Sequence, residues 1–372
     1  MPKTLPARLL AAAALALLAG GAQAQILIGQ TVGITGSAAA TVKESMGGAA
    51  LYIDHVNAKG GVGGQKIEVV SLDDKFDPKL TLENTQTLIE QKGVIGLFMT
   101  RGTPHTQGIL PLLEQHGVPL VGPSTGAMVL HAPVHKYVFN VRATYQREVE
   151  KAISHLHTLG VQRIGVVHVD DTFGADGLAG ALSGFKANGI AALFIEKFDR
   201  AKPDFSTLAP RAAQAEPQAV VIIGTGAAVV DGIKALRAAG VSGQIVTLSN
   251  NASGGFVKAL GEHARGVVVT QVFPSERSVN TPVIKEAMEI AKARGTSDLT
   301  PAMVEGFVSA KVLVEALRRA GPKPDRARLH AALESLKKLD LGGLELSYSS
   351  SDHTGLDFAD LSIIGSDGRF KR

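Results

Sequence analysis

The sequence predicts an α/β protein built as two doubly wound parallel-sheet lobes. Three observations carry that expectation. Short, continuous apolar runs alternate with helical patterns along most of the chain, as strands buried on both faces of a parallel sheet require. The alternation starts afresh near Thr144, so the series is present twice. The 372 residues also exceed what one hydrophobic core commonly supports.

The first residues read as a secretory signal. Lys3 and Arg8 flank the start of an apolar run, Leu9 to Leu18; Gly20-Gly21 breaks it, and Ala22-Gln23-Ala24 is a small-residue cleavage pattern. The run is too short to span a bilayer. The mature chain is therefore expected to begin at Gln25, after cleavage behind Ala24, free in the periplasm. Cleavage removes two positive charges and lowers the formal net charge from +4 to +2. That near balance speaks against nucleic acid as a partner. With no cysteine there is neither a disulfide nor a cysteine-linked lipid anchor, although an exported chain would be permitted disulfides.

Ile26 to Gly29 opens the first lobe as a strand. A helix face of Ala50, Leu51, Ile53 and Val56 closes at Asn57, and four glycines (Gly60, Gly61, Gly63, Gly64) turn the chain into the strand Ile67 to Val70. Asn and Gly end helices because they tolerate left-handed backbone. Asp73-Asp74 and Pro78 mark the exit into a loop. Helices over Leu80 to Gln91 and Thr106 to Gln115 separate the strands Val94 to Met99 and Val118 to Val121, and Val138 to Val141 leads to the crossing near Thr144. The second series has strands Ile164 to Val169, Ala192 to Ile195, Val220 to Ile223, Ile245 to Leu248 and Val267 to Thr270, with helices Arg147 to Leu159 and Gly174 to Asn188. Beyond Phe273-Pro274 the pattern is helical again, over Val283 to Arg294, Pro301 to Ala320 and Arg326 to Leu336. The tail reads as a hairpin-like pair, Leu344 to Ser349 and Leu361 to Ile364.

The segment Gly48 to Lys79 carries GA, VN, GGVGGQKI and DDKFDPK in that order. It resembles the leucine/isoleucine/valine-binding family of periplasmic receptors, and the likeness spans essentially the mature chain. The resemblance implies the type 1 periplasmic binding protein fold, with a three-stranded hinge crossing near Thr144, Phe273 and the Ser349–Gly355 loop. Residues 25–143 with 275–348 would form the N-terminal lobe, and 144–274 with 349–372 the C-terminal lobe. A small-molecule ligand, an ABC transporter permease in the inner membrane, a monomer, no cofactor and no catalysis are implied with it. The cysteine pair that several relatives carry falls here on Phe76 and near Met99.

In open parallel sheets, ligands sit beyond the carboxyl ends of the strands. The loops there are Thr35 to Thr41, Thr100 to Thr106 and Gly122 to Gly126, all small, hydroxylated and glycine-rich. Helix N-termini at such loops offer unpaired N–H groups and a positive dipole end, which suits a carboxylate. By resemblance, the hydroxyl that meets the ligand carboxylate falls on Thr103, and the next loop supplies Ser124 and Thr125. A threonine of the family aligns one place later, on Gly126, and an aromatic of the first loop aligns with Thr41. Phe173 takes the place of a tyrosine that packs on the ligand, Thr225 matches another, and Tyr145 sits at the hinge crossing. Ser and Thr at these places are also ordinary helix caps.

Ser249 is the most consequential departure, because amino-acid receptors of this family carry there a glutamate that pairs with the ligand's ammonium. A cation in a dry cleft needs a carboxylate, and Asp170 or Asp171 would have to supply it unless they cap the helix at Phe173. Arg101 and His105 add positive character, and Arg pairs with a carboxylate through two parallel hydrogen bonds. The expectation is a periplasmic solute receptor for a small carboxylate-bearing ligand, an organic or aromatic acid or a branched-chain-type amino acid, delivered to an ABC importer. A periplasmic sensor of the same fold is one alternative. A secreted hydrolase is the other, since Gly122-Pro123-Ser124-Thr125-Gly126 matches G-x-S-x-G. Pro133 leaves too little helix behind that serine for a nucleophile elbow. Gly224-Thr225-Gly226 lacks the third glycine and the acidic residue of a dinucleotide loop, and His131 with His135 have Pro133 between them and no third ligand.

Overall fold

The computed structural model describes residues 25–296 and 298–372; the expected signal segment and its cleavage point lie outside them. The first lobe is built on a parallel sheet of β1 (Ile26–Val32), β2 (Ile67–Asp73), β3 (Gly96–Phe98), β4 (Leu120–Val121) and β5 (Val138–Phe139), in the order β2-β1-β3-β4-β5. The second contains β6 (Ile164–Val169), β7 (Phe194–Phe198), β8 (Ala219–Ile223), β9 (Gln244–Thr247) and β10 (Val268–Gln271), wound in the same relative order, β7-β6-β8-β9-β10. β11 (Leu339–Asp340) and β12 (Glu345–Leu346) form a separate antiparallel ribbon. β13 (Asp360–Ile364) and β14 (Phe370–Lys371) extend the second sheet antiparallel beyond β10. Each sheet reverses its winding beside its first strand, which opens a crevice at the carboxyl ends of the strands.

The chain crosses between the sheets three times: between Phe139 and Tyr145, between Gln271 and Pro282, and between Leu346 and Asp360. Two of the crossings hold each other, with Asn140 N donating to His353 O (3.0 Å) and Leu356 N to Val141 O (3.0 Å). The sequence reading of β6 and of the helix Pro301–Ala320 matches the structure residue for residue. The tail differs. Leu344 to Ser349 does not pair with Leu361 to Ile364; Glu345-Leu346 folds back on Leu339-Asp340 instead. Gly342 and Gly343 take φ of +104° and +85° there, and Asp340 Oδ1 accepts both of their N–H groups (2.8 and 2.7 Å). A tight turn held by glycine and Asp wins over the longer connection.

Helix Pro301–Ala320 packs along helix Ala39–Ala58. Gly48 and Gly306 make the contact possible: a Cβ at Gly48 would lie 1.9 Å from Met303 O, and one at Gly306 would lie 1.9 Å from Ser45 O. Asn57 ties the same helix to the sheet, its Nδ2 donating to Ile67 O (2.8 Å) and its Oδ1 accepting from Ile67 N (2.9 Å). That pair sets where β2 begins beside β1.

Candidate functional site

The DDKFDP segment shows how sequence builds one wall of the cleft. Asp73 accepts from Thr35 N (3.1 Å), Thr35 Oγ1 (2.6 Å) and Lys75 N (2.9 Å), which fixes the loop after β1. Asp74 is fully buried and accepts from Thr31 Oγ1, Thr81 Oγ1 and Phe76 N (3.2, 3.0 and 2.9 Å). Burial nonetheless pushes its pKa up. Asp77 caps helix Pro78–Gln86 through Lys79 N. Between these anchors Phe76 is held at φ +61° and presented to the cleft.

β3 ends at Phe98, and Gly102 at φ +94° starts helix Thr103–His116. A Cβ at 102 would lie 2.5 Å from His105 Nδ1, so only glycine lets the turn sit over that buried ring. Ser124 N donates to Thr100 O (2.8 Å), which lays the loop after β4 alongside. The second lobe mirrors this. Asp171 caps helix Thr172–Ala187 by accepting from Phe173 N (2.9 Å) and Gly174 N (3.0 Å), and so aims Phe173 inward.

These loops meet across a cavity lined by Phe76, Arg101, Gly102, Thr103 and Ser124 from one lobe and Tyr145, Phe173, Arg200, Thr225 and Asn250 from the other. Its volume is only about 10 Å3, about enough for a single water. The lobes touch: Thr41 Oγ1 and Ser253 Oγ are 3.0 Å apart, and Glu44 accepts from Gly254 N (3.0 Å) and Gly255 N (2.8 Å). Any solute larger than water therefore needs the lobes to part first.

Arg101 dominates the chemistry. It is 2% exposed; Nη1 donates to Ser124 Oγ (3.0 Å), and Nη2 reaches across to Asn250 O (2.6 Å). Its Nε has no partner, and none of the described residues forms an ion pair with it. Burial lowers its pKa below the ordinary arginine value, with Glu305 and Tyr145 acting the other way. A guanidinium remains charged in proteins, so this is a dehydrated cation.

The structure places six of the sequence-derived candidates on the cavity wall: Arg101, Thr103, Ser124, Tyr145, Phe173 and Thr225. Thr125 lies behind the wall, bonded to Thr103 Oγ1 (2.9 Å). Thr41 is engaged with Ser253. Ser249 faces a buried network instead: its Oγ accepts from Arg142 Nη2 (2.5 Å), and its N donates to Glu148 Oε2 (3.0 Å) and Thr270 Oγ1 (2.8 Å). Arg142 also pairs with Glu148 and Glu305. Burial alone would lower its pKa, but Tyr145, Glu148 and Glu305 outweigh that and raise it. Gly126 packs on the crossing, where a Cβ would lie 2.5 Å from Ala143 O, so the family's threonine would not fit here without movement. Ser124 Oγ is bonded to Arg101, not to a histidine.

Sequence reasoning missed Phe76, Arg200 and Asn250 as wall residues. Arg200 was hidden because β7 runs to Phe198 and not to Ile195; it pairs with Asp171 and lies over the Phe76 ring, 5.4 Å from its centroid. Phe76 and Asn250 follow strand ends in the same way, the positional signal that could have found them.

Comparison with known proteins agrees with this fold. The profile of the family described as periplasmic binding protein matches residues 25–359. The Leu/Ile/Val/Thr-binding protein of Salmonella typhimurium is 28% identical over 228 residues, 60% of this chain and 61% of that protein. The chain thus aligns with about 61% of the length of the first curated relatives it matches. The crystal structure of a substrate-binding periplasmic protein from Ralstonia solanacearum superposes with a TM-score of 0.86 at 31% identity, covering 93% of this chain and 99% of the other. That of an extracellular ligand-binding receptor from Verminephrobacter eiseniae gives 0.84 at 30% identity, covering 94% and 100%. The chain belongs to the periplasmic binding protein family, a class of receptors and not of enzymes.

Proposed function

We propose that this protein is a solute receptor whose lobes close over a small carboxylate-bearing ligand and hand it to an ABC importer in the inner membrane. The observation that carries the reading is Arg101, a buried guanidinium in the interlobe cavity with an unpartnered Nε and no ion pair to a carboxylate among the described residues. Arg101, Thr103 and Ser124 would hold the carboxylate, Thr125 would orient Thr103, and Tyr145, Phe173 and Thr225 would pack on the rest from the opposite side. Thr41 and Ser249 would act through closure. Residues 25–143 with 275–348 and residues 144–274 with 349–372 would move as the two jaws. Export with cleavage behind Ala24 and function as a monomer belong to the same proposal. The Salmonella relative is by name a receptor for amino acids, and amino acids and organic or aromatic acids share the carboxylate that this site would grip.

Micromolar binding corresponds to about −8 kcal/mol. A ligand at 100 times its dissociation constant should stabilise the folded protein by about 2.7 kcal/mol. Thermal denaturation across amino acids, aliphatic acids and aromatic acids reads this as a rise in midpoint. If no carboxylate in such a panel raises it, the reading is wrong.

A further inference from the structure

The charges around the cavity set a limit on what the ligand carries besides its carboxylate. Among the described residues Arg101 makes no ion pair, and Glu305, the carboxylate whose charge acts on it, lies off the cavity wall. Arg200, the other cation on the wall, is paired with Asp171, whose second oxygen is already taken by Phe173 N and Gly174 N. Glu148 and Glu305, the acids behind Tyr145, both bind the one guanidinium of Arg142, and neither lines the cavity. Asp170 faces outward to Lys197 at 2.8 Å. Among the described residues no carboxylate lines the cavity. An ammonium closed inside would be a second buried cation beside Arg101 with no carboxylate on the cavity wall to pair with, at a cost of several kcal/mol. One neutral acceptor is left over. Asn250 lines the wall and is 3% exposed; its Nδ2 donates to Gly224 O (2.9 Å) and Thr225 Oγ1 (3.3 Å), while its Oδ1 has no partner.

We propose that the ligand is a monocarboxylate without an ammonium group, whose hydroxyl or other neutral donor meets Asn250 Oδ1. The inference rests on the receptor reading above and narrows its substrate class to hydroxy acids ahead of amino acids. The carboxylate answers Arg101, the apolar body lies against Phe76 and Phe173, and the hydroxyl meets the free acceptor of Asn250.

The test is isothermal titration of the purified protein with two matched series that differ only at one substituent. One is L-leucine, 2-hydroxy-4-methylpentanoate and 4-methylpentanoate; the other is L-phenylalanine, 3-phenyllactate and 3-phenylpropanoate. In whichever series binds, the hydroxy acid should bind at least about tenfold more tightly than the amino acid, with the unsubstituted acid weaker than the hydroxy acid. An amino acid that binds as tightly as its hydroxy counterpart, or more tightly, overturns the inference while leaving the receptor reading intact. 3-Phenylpropanamide binding as well as 3-phenylpropanoate would instead overturn the anion site itself. No binding by any of the six acids at millimolar concentration also overturns the inference, and the wider acid panel then judges the receptor reading separately. Asn250→Ala should bring the hydroxy acid down to the level of the unsubstituted one; a preference that survives intact removes Asn250 from the account.

Discussion

Replacing Arg101 with methionine should separate binding from stability. In the closed protein the guanidinium is fully enclosed and makes two hydrogen bonds, to Ser124 Oγ and Asn250 O. Hydrogen bonds from a charged group contribute about 1.5–3 kcal/mol each. Against them stands the cost of dehydrating the cation, several kcal/mol, which no paired carboxylate offsets and the more distant Glu305 offsets only in part. The terms are of similar size and opposite sign, so Arg101→Met should leave the unliganded protein within about 1–2 kcal/mol of the parent, or slightly more stable. Binding is another matter. Truncating one partner of a buried charge pair costs about 2–5 kcal/mol. At about 1.4 kcal/mol per tenfold, the affinity for a carboxylate ligand should fall by a factor of between about 30 and a few thousand. Urea denaturation gives the first quantity and calorimetric titration with the best-binding acid gives the second. A variant that folds normally and binds that acid within threefold of the parent would refute the reasoning.

Other outcomes follow from the same geometry. Glu44→Ala removes a clasp on the opposite lobe, where Glu44 accepts from Gly254 N and Gly255 N without touching the cavity; ligand affinity should fall by about 0.5–2 kcal/mol through weaker closure, and an unchanged dissociation constant in calorimetry would contradict it. Gly48→Ala would set a Cβ 1.9 Å from Met303 O, and the forced shift of two packed helices should cost at least about 1–3 kcal/mol; a chemical denaturation midpoint equal to the parent's would show that the contact yields easily. Burial pushes the pKa of His105 and His131 down to about 4, helped by Arg200 at the first and Arg142 at the second. The unfolded chain then takes up protons first, below about 6.5, so stability is full above that pH and falls towards pH 4 by about 1.4 kcal/mol per pH unit per histidine. Asp74, Asp176 and Glu276, whose pKa values burial raises, act in the opposite sense. Denaturation at pH 7.5, 5.5 and 4.5, compared with His131→Gln, reads the slope; a variant as steep as the parent removes His131 from the account.

The fold was legible because its signals are local. Buried strands such as Ile164–Val169 and the helix Pro301–Ala320, which starts with Pro and stops at Gly321, carry their own boundaries. The site was legible as a set of loops but not as a set of side-chain directions. Ser249 and Asn250 are neighbours, yet one turns to Arg142 and the other to the cavity. That choice is made by the partners Glu148, Thr270 and Gly224, which are distant in sequence. Phe76 needed the left-handed turn that Asp73 and Asp74 impose through their bonds to Thr35 and Thr31. Arg200 depended on a strand end displaced by three residues. Periodicity reports which face is apolar; it does not report which polar atom will be left without a partner.

The most direct measurement is a crystal structure of the protein with 3-phenyllactate. The account places the carboxylate between the lobes, about 3 Å from the Arg101 guanidinium, with the hydroxyl on Asn250 and the ring toward Phe76 and Phe173. A carboxylate that points away from Arg101, or a ligand seated outside the cavity between the lobes, would contradict it.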